Sequence, residues 1–195
     1  MYKIGLTGGI GSGKTTLARM FELLQIPIYY SDTRAKLLMV NHQGLKTDLI
    51  NLLGNDVYLL SGQINKSYIS SLIFQDNTLL SKVNSIVHPI VDKDFLEFCR
   101  KYQSVSYIIK ESAILFETGL YKRLDKTILV TASETDRIER VKARDITDSN
   151  SIKDRISKQW KDSDKIKLAD FIIKNNNQNF VIPQILKIHK QITIN

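Results

Sequence analysis

Two hydrophobic rhythms run along this chain. Residues 2–7 (YKIGLT) form a short apolar run closed by glycines, which predicts a buried strand. From Gly13 to Leu24 the apolar positions fall at Leu17, Met20, Phe21 and Leu24, a spacing that predicts an amphipathic helix opening inside the glycines. Ile26–Tyr30 (IPIYY) reads as a second strand, with Pro27 near its start, where a missing N–H costs least. Ser31 and Asp32 close it. Residues 33–103 keep the helical rhythm, with Leu45, Leu49, Leu52 and Leu53, breaks at Gly44, Gly54 and Gly62, then Leu79, Leu80, Val83 and Ile86 up to His88-Pro89. Helices and no clear strand are predicted there. Beyond it, Val105–Ile109 and Thr127–Thr131 are strand-like, Glu134–Arg144 is a polar helix, Phe171–Ile173 is a short strand, and Val181–Ile192 is a last helix.

Strands separated by helical segments predict an α/β fold with a parallel sheet of about five strands. No internal repeat is visible. The one low-complexity stretch, Asn175–Asn179, reads as a strand-to-helix loop. A length of 195 residues suits one compact unit with room for a small inserted subdomain.

Composition narrows the class. Hydrophobic residues make up 43% and charged residues 25%, which excludes a disordered chain. A single cysteine, Cys99, cannot form an internal disulfide or build a structural zinc site, so a reducing cytoplasm is expected. No apolar run is long enough for a membrane span, and the run at the start is too short for a secretory signal. The formal net charge is +8, which calls for anionic partners. Between Arg137 and Lys167 stand ten Lys/Arg against six Asp/Glu, so half of the surplus lies in one segment. With no arginine-rich tail, no aromatic RNA-binding signature and no zinc-finger spacing, nucleic acid is not expected as a partner. These charges read either as a solvated face or as the lining of a phosphate pocket.

The specific chemistry lies at Gly8-Gly9-Ile10-Gly11-Ser12-Gly13-Lys14-Thr15, which fits G-x-x-x-x-G-K-[ST]. Glycines let the backbone wrap closely round an anion. Successive N–H groups then point inward, and the following helix adds its positive end. Lys14 reaches the β/γ-phosphates, and the Thr15 hydroxyl is the expected Mg²⁺ ligand. A random chain of this length matches the pattern with a probability on the order of one per cent. Here a strand precedes it and a helix follows, as the motif requires. ATP or GTP binding is therefore expected.

What is done with the nucleotide separates several classes. A GTPase switch needs D-x-x-G and N-K-x-D, and neither occurs, since Asn65-Lys66 is followed by Ser67-Tyr68. A motor or transporter ATPase carries an apolar strand ending in a carboxylate, for which Ile108-Ile109-Lys110-Glu111 is the nearest and an imperfect match. A small-molecule P-loop kinase needs an acceptor region, a base and a basic lid, and each has candidates. Asp32 follows the second strand, so it either orients or deprotonates an acceptor hydroxyl, holds Mg²⁺ through water, or caps the next helix. Arg137, Arg140 and Arg144 share one helix face, as a phosphate clamp or as a solvated face paired with Glu134 and Glu139. His88 before Pro89 reads as a histidine at a turn. His42 and His189 have no evident partners. Trp160, set among charges, stacks on a ligand or anchors the lid.

Taken together, GLTGGIGSGKTT, the strand ending at Asp32, LSGQINKSYISSLIFQD, VNSIVHPIV, ILFETGLYK, RIERVKARD, RISKQ and ADFIIKNN resemble the dephospho-CoA kinase family, in the family's order from residue 4 to about residue 176. The resemblance implies a P-loop kinase fold: a five-stranded parallel sheet flanked by helices, a helical CoA-binding domain and a lid. Its core covers about 1–32, 104–144 and 168–195, the helical acceptor-binding domain about 33–103, and the lid about 145–167. It implies transfer of the ATP γ-phosphate to the 3′-hydroxyl of dephospho-CoA with Mg²⁺, in the cytoplasm. Asp32 would be the catalytic carboxylate, with Lys14 and Arg140 acting on the transferring group. Gly9, Gly11, Ser12, Gly13, Lys14, Thr15 and Thr16 would bind ATP phosphates, Arg144 would join them from the lid side, and Asn175 would lie near the adenine. His88, Leu115, Glu117 and Gln159 fall on positions lining the acceptor side or the lid hinge. The oligomeric state is left open, and a monomer is compatible. Three departures stand out. Tyr30 replaces the first Asp of the family's D-x-D, Ala113 replaces a Pro, and Lys66 replaces an Arg and so keeps the charge without the bidentate fork. Another small-molecule P-loop kinase, such as a nucleoside monophosphate kinase, and a nucleotide-dependent regulatory protein are the alternatives.

Overall fold

The computed structural model describes residues 1–73, 76–145, 148–176 and 178–194. Parts of three readings therefore lie outside the described residues: Phe74 and Gln75 of the long helical motif, Ile146 and Thr147 of the expected lid, and Asn177 of the asparagine-rich loop. Residues Met1–Tyr30 with Tyr102–Asn195 form one compact unit, and Ser31–Lys101 form another.

The first unit is built on five parallel strands: β1 (Tyr2–Gly8), β2 (Ile28–Tyr30), β3 (Tyr107–Glu111), β4 (Lys126–Thr131) and β5 (Phe171–Lys174). Their order in the sheet is β2-β3-β1-β4-β5, with β1 in the middle. Ile4 pairs in register with Ile109 on one side and Lys126 on the other, and Tyr30 of β2 pairs with Glu111 of β3. A parallel sheet needs cover on its faces, and the apolar runs of β1, β3 and β4 are buried accordingly. Helix α1 (Lys14–Leu23) lays Leu17, Ala18 and Phe21 onto Ile4, Leu6, Ile109 and Val130, and the C-terminal helix (Val181–Ile194) adds Ile185, Ile188 and Ile192. Its His189 accepts or donates a hydrogen bond with the Tyr107 hydroxyl (2.8 Å), so the histidine that shows no partner in the sequence has one in the fold.

At the sheet's far edge Asp170 joins β5 to β4. It accepts from the Thr127 N–H (2.8 Å) and Oγ1 (2.9 Å) and pairs with Lys126 (3.1 Å). Partial burial works against its charge, but the Lys126 and Thr127 hydrogen bonds outweigh that and hold the carboxyl below its ordinary range.

Strand β2 is shorter than its apolar run, beginning after Pro27, and β3 starts and ends two residues later than the pattern implies, taking in Lys110 and Glu111. Neither Lys110 nor Glu111 is apolar, yet both are buried, so the periodicity alone could not place them in the strand.

The second unit is helical, as its rhythm predicts. It comprises α2 (Ser31–Asn41), α3 (Gln43–Leu53), α4 (Lys66–Ile73) and α5 (Asn77–Lys101), with a short 3₁₀ turn at Asn55–Val57 and an antiparallel bridge between Tyr58 and Ile64. His42 caps α3 by accepting the Leu45 N–H at Nδ1 (3.1 Å), which gives it a role that its spacing does not reveal. Gly44 lies inside α3 rather than breaking it, and Gly54, at φ +90°, ends it. The largest difference from expectation is α5. Its helix runs straight through Pro89, so His88 stands mid-helix and not at a turn. A proline there removes one backbone hydrogen bond and crowds the preceding turn. Burial of Val83, Val87, Val91, Phe95 and Cys99, each four residues on from the last, offsets that cost, while Pro89 faces outward.

Candidate active site

The glycine loop links β1 to α1 at the carboxyl edge of the sheet, where ligands of open α/β sheets bind. Gly11 (φ +77°) and Gly13 (φ +90°) are left-handed, a conformation that side chains resist. A Cβ at Gly11 would also meet the Arg137 backbone, and one at Gly13 would meet the Asn175 amide. Gly13 is the N-cap of α1. Among the described residues no side chain caps that end, and its first turn holds no acid. The helix therefore presents its N–H groups and positive dipole end to whatever anion occupies the loop. Thr15 and Thr16 are exposed in that turn, and Lys14 is half-buried beside them. Its Nζ lies 3.8 Å from Glu111 Oε1, at the end of β3.

Side chains from distant segments hold this loop by its backbone. Ile10 donates its N–H to Gln159 Oε1 (2.8 Å), and its carbonyl accepts from Arg137 Nε (2.9 Å). The Ser12 carbonyl accepts from Asn175 Nδ2 (2.8 Å) and from Arg140 (3.5 Å), and Arg140 also donates to the Asn175 carbonyl (3.1 Å). Arg137 and Arg140 come from α6 (Glu134–Asp145), and Asn175 follows β5. Arg137 is 8% exposed, with a further guanidinium nitrogen 3.5 Å from Gln159 Oε1 and Asp162 4.0 Å away. A buried guanidinium with these partners is a fixed support rather than a solvated charge.

Two cavities adjoin the loop's supports. One of about 360 Å³ is lined by Gly11, Gly13, Lys14, Thr15, Thr16, Arg19, Arg140 and Arg144, among others. Its walls carry four cations and the helix N-terminus, a setting for a polyanion. A larger one of about 1190 Å³ is bounded by Arg137, Lys153, Gln159, Trp160, Lys161 and Asp162, among others. Residues of helices α7 (Ser149–Ser157) and α8 (Asp162–Ile166) line part of it. Asp148 caps α7 through the Asn150 and Ser151 N–H groups. Trp160 is half-exposed in this cavity, and its backbone N–H donates to Glu117 Oε1 (3.2 Å). The same carboxylate oxygen pairs at 2.7 Å with Lys165, which is fully buried.

The sequence-predicted residues are thus distributed as follows. Gly9, Gly11, Ser12, Gly13, Lys14, Thr15, Thr16, Arg140, Arg144 and Asn175 meet around the glycine loop. Gln159 touches the loop itself. Glu117 holds the turn between α7 and α8. Leu115 is fully buried beside Gly5, so it fills the core and has no surface for a ligand. Arg144 lines the smaller cavity while its fork engages Asp145 at 2.6 and 2.8 Å. That fork, reinforced by Arg155, holds the Asp145 carboxyl low. Asp32 lies in the helical unit, exposed in the first turn of α2; the helix begins at Ser31, so Asp32 is not its cap. His88 lies in the same unit, on α5. Arg19 is missing from the sequence-based set, although it stands on the exposed side of α1, one turn beyond Thr15.

Three comparisons bear on this arrangement. The family model described as dephospho-CoA kinase matches residues 2–180. A Porphyromonas gingivalis protein named dephospho-CoA kinase is 37% identical over 189 residues, covering 96% of this chain and 93% of its own. A Bacteroides fragilis protein of the same name is 35% identical over 186 residues, covering 95% and 90%. Among solved structures, TT1252 from Thermus thermophilus superposes with a TM-score of 0.85 at 25% identity, covering 99% of this chain and 96% of its own.

Proposed function

The chain belongs to the dephospho-CoA kinase family, and from that premise we propose how its own residues carry the reaction. It phosphorylates dephospho-CoA with ATP, giving CoA at the end of coenzyme A biosynthesis. In the step, the ribose 3′-oxygen forms a bond to the γ-phosphorus, the bond from that phosphorus to the β–γ bridging oxygen breaks, and ADP leaves.

The observation that carries the reading is the glycine loop gripped at Ile10 and Ser12 by Gln159, Arg137, Asn175 and Arg140. A loop fixed before the nucleotide arrives stabilises charge without reorganising, which is the main lever in phosphoryl transfer. The loop amides and the N-terminus of α1 receive the phosphates. Lys14 bridges the β- and γ-phosphates, and Arg140 and Arg144 bear on them from α6. Thr16 lies on the same turn, and Asn175 is placed towards the adenine. Asp32, two residues past the end of β2, accepts the hydrogen bond of the ribose hydroxyl and takes its proton. The helical unit, with His88, receives the acceptor, and Glu117 and Gln159 act by holding the segment that carries Trp160.

Mg²⁺ fits the donors present. Among the described residues there is no group of three carboxylate, histidine or cysteine ligands that would bind a metal alone. An exposed Thr15 hydroxyl beside Lys14, with a buried carboxylate behind it, suits a cation that arrives with phosphates and keeps most of its water. When bound, the cation draws charge from the phosphate oxygens. Among the described residues no helix is long and apolar enough to cross a membrane. A cytoplasmic setting suits the lone buried Cys99.

The test is ATP consumption measured with dephospho-CoA, with AMP and with no acceptor. Turnover with dephospho-CoA alone is expected. Turnover with AMP would indicate a nucleoside monophosphate kinase, and ATP binding without turnover on any acceptor would indicate a regulatory protein.

A further inference from the structure

The short link from α7 to α8 carries a side chain that the reaction described above leaves without a role. Trp160 stands in this link and is the sole tryptophan of the chain. Its backbone is held. The Trp160 N–H donates to Glu117 Oε1 (3.2 Å), and that oxygen pairs at 2.7 Å with Lys165, which is fully buried. The residue before it is held too, because Gln159 Oε1 accepts the Ile10 N–H of the glycine loop (2.8 Å). The main chain is thus fixed at two successive residues, yet Trp160 itself is 46% exposed. Among the described residues the indole stacks on no other ring and its N–H makes no hydrogen bond. An aromatic ring left in water forfeits the free energy of its burial, and the fold gains no contact from holding it there. A ring presented this way in the wall of the 1190 Å³ cavity is a platform for a flat ligand.

The charges around it narrow the kind of ligand. Asp162 and Asp164, in the same wall, are answered by Arg137 (4.0 Å) and Lys167 (3.4 Å). Lys153 and Lys161 line the cavity and form no ion pair among the described residues, against Glu134 as the acid left over. A ring to stack on beside unpaired lysines matches a base that carries phosphates. Both substrates of the kinase are of that kind. The phosphates of ATP are assigned to the glycine loop and the smaller cavity, and among the described residues the two cavities share no lining residue. The larger cavity is left for the second nucleotide.

We propose that Trp160 is a binding residue for the acceptor: its indole stacks on the adenine of dephospho-CoA. Glu117 and Lys165 are positioning residues that hold the indole at the cavity. The proposal rests on the kinase reading above and adds to it a contact for the acceptor's base.

The experiment uses the single tryptophan as its own probe. Emission of the wild-type protein, excited at the red edge where adenine does not absorb, is followed during separate titrations with dephospho-CoA, with 4′-phosphopantetheine, which lacks the adenosine, and with ATP. Dephospho-CoA is expected to quench saturably and more strongly than either of the others. No quenching by dephospho-CoA, or quenching as strong with 4′-phosphopantetheine or with ATP, would overturn the proposal. Calorimetry then gives the dissociation constants of the variants. Trp160→Ala is expected to weaken dephospho-CoA about tenfold or more, the scale of one base–aromatic stack, and to leave ATP within about twofold. Trp160→Phe keeps a ring and should stay within about threefold of wild type for both. A residue that only supports the fold would shift both ligands alike. Equal shifts, an unchanged dephospho-CoA affinity in Trp160→Ala, or a Trp160→Phe variant as weak as Trp160→Ala would overturn the proposal. If circular dichroism shows Trp160→Ala unfolded, Trp160→Leu replaces it with the same expectations, and the wild-type quenching stands independently of either. A wild type quenched by dephospho-CoA that makes no CoA would fail the kinase reading and leave this contact standing.

Discussion

The glycine loop and helix α7 belong to the same unit and are held in opposite ways. The loop's backbone at Ile10 and Ser12 is bonded to Arg137, Gln159, Arg140 and Asn175, one of them a guanidinium 8% exposed. Helix α7 buries Ile152, and the ion pair that ties it to α6, Arg155 with Asp145 at 3.8 Å, is exposed. One region is rigid at the atoms that must meet phosphates. Among the described residues, the other is tied to α6 by an exposed ion pair, a kind of contact that resists motion weakly. Gln159 follows α7 in the chain and accepts the Ile10 N–H of the loop at 2.8 Å, so the two regions share a residue.

The sharpest way to break this comparison is to remove the loop's own cation. Lys14→Ala should lower kcat by about 10³-fold or more while far-UV circular dichroism stays unchanged, because charge stabilisation is lost and the fold is not. Near-normal turnover would leave the rigid loop without a purpose. Next in size is Asp32→Asn, which keeps the side chain's shape and loses its charge. It should cost about 10²-fold in kcat with ATP affinity unchanged, by steady-state kinetics and equilibrium binding. Turnover near wild type would remove Asp32 from the chemistry.

Arg137→Met tests the support directly. Losing hydrogen bonds from a buried charge should cost about 2–3 kcal/mol in urea unfolding and weaken ATP binding, as the loop relaxes. Asp170, at the opposite edge of the sheet, gives a control that spares both regions. Its folded pKa is depressed, so its contribution is complete above its unfolded value near 4 and is lost as pH falls through the lower folded value. The melting-temperature gap between wild type and Asp170→Asn should therefore be constant near neutrality and close in acid. A gap that widens on acidification would contradict the assignment. Smallest is Arg155→Ala, where an exposed pair should contribute less than about 1 kcal/mol to stability. A large loss would mean that α7 is held as firmly as the loop.

Much of this was legible along the chain because it is local. The glycine loop is one eight-residue pattern, and α1, β4, α6, β5 and the last helix follow periodicities of a few residues. What was not legible is either long-range or contrary to local rule. The grips on the loop join residues 127, 149 and 163 positions apart, and no spacing announces them. The arginine face of α6 was visible, but whether it met solvent or the loop depended on the fold. Pro89 reads as a stop, yet five buried side chains on one face of α5 carry the helix through it. Glu111 ends a strand whose apolar pattern stops at Ile109, because its burial is set by the sheet's edge and by Lys14 rather than by its own hydropathy.

The most direct measurement is mass spectrometry of the purified chain incubated with dephospho-CoA, ATP and Mg²⁺, followed by phosphorus NMR of the product. A time-dependent product with the mass of CoA and its new phosphate on the ribose 3′-oxygen is expected, with ADP formed in equal amount. ATP turning over with no such product, or a phosphate placed elsewhere on dephospho-CoA, would contradict the assignment of this site.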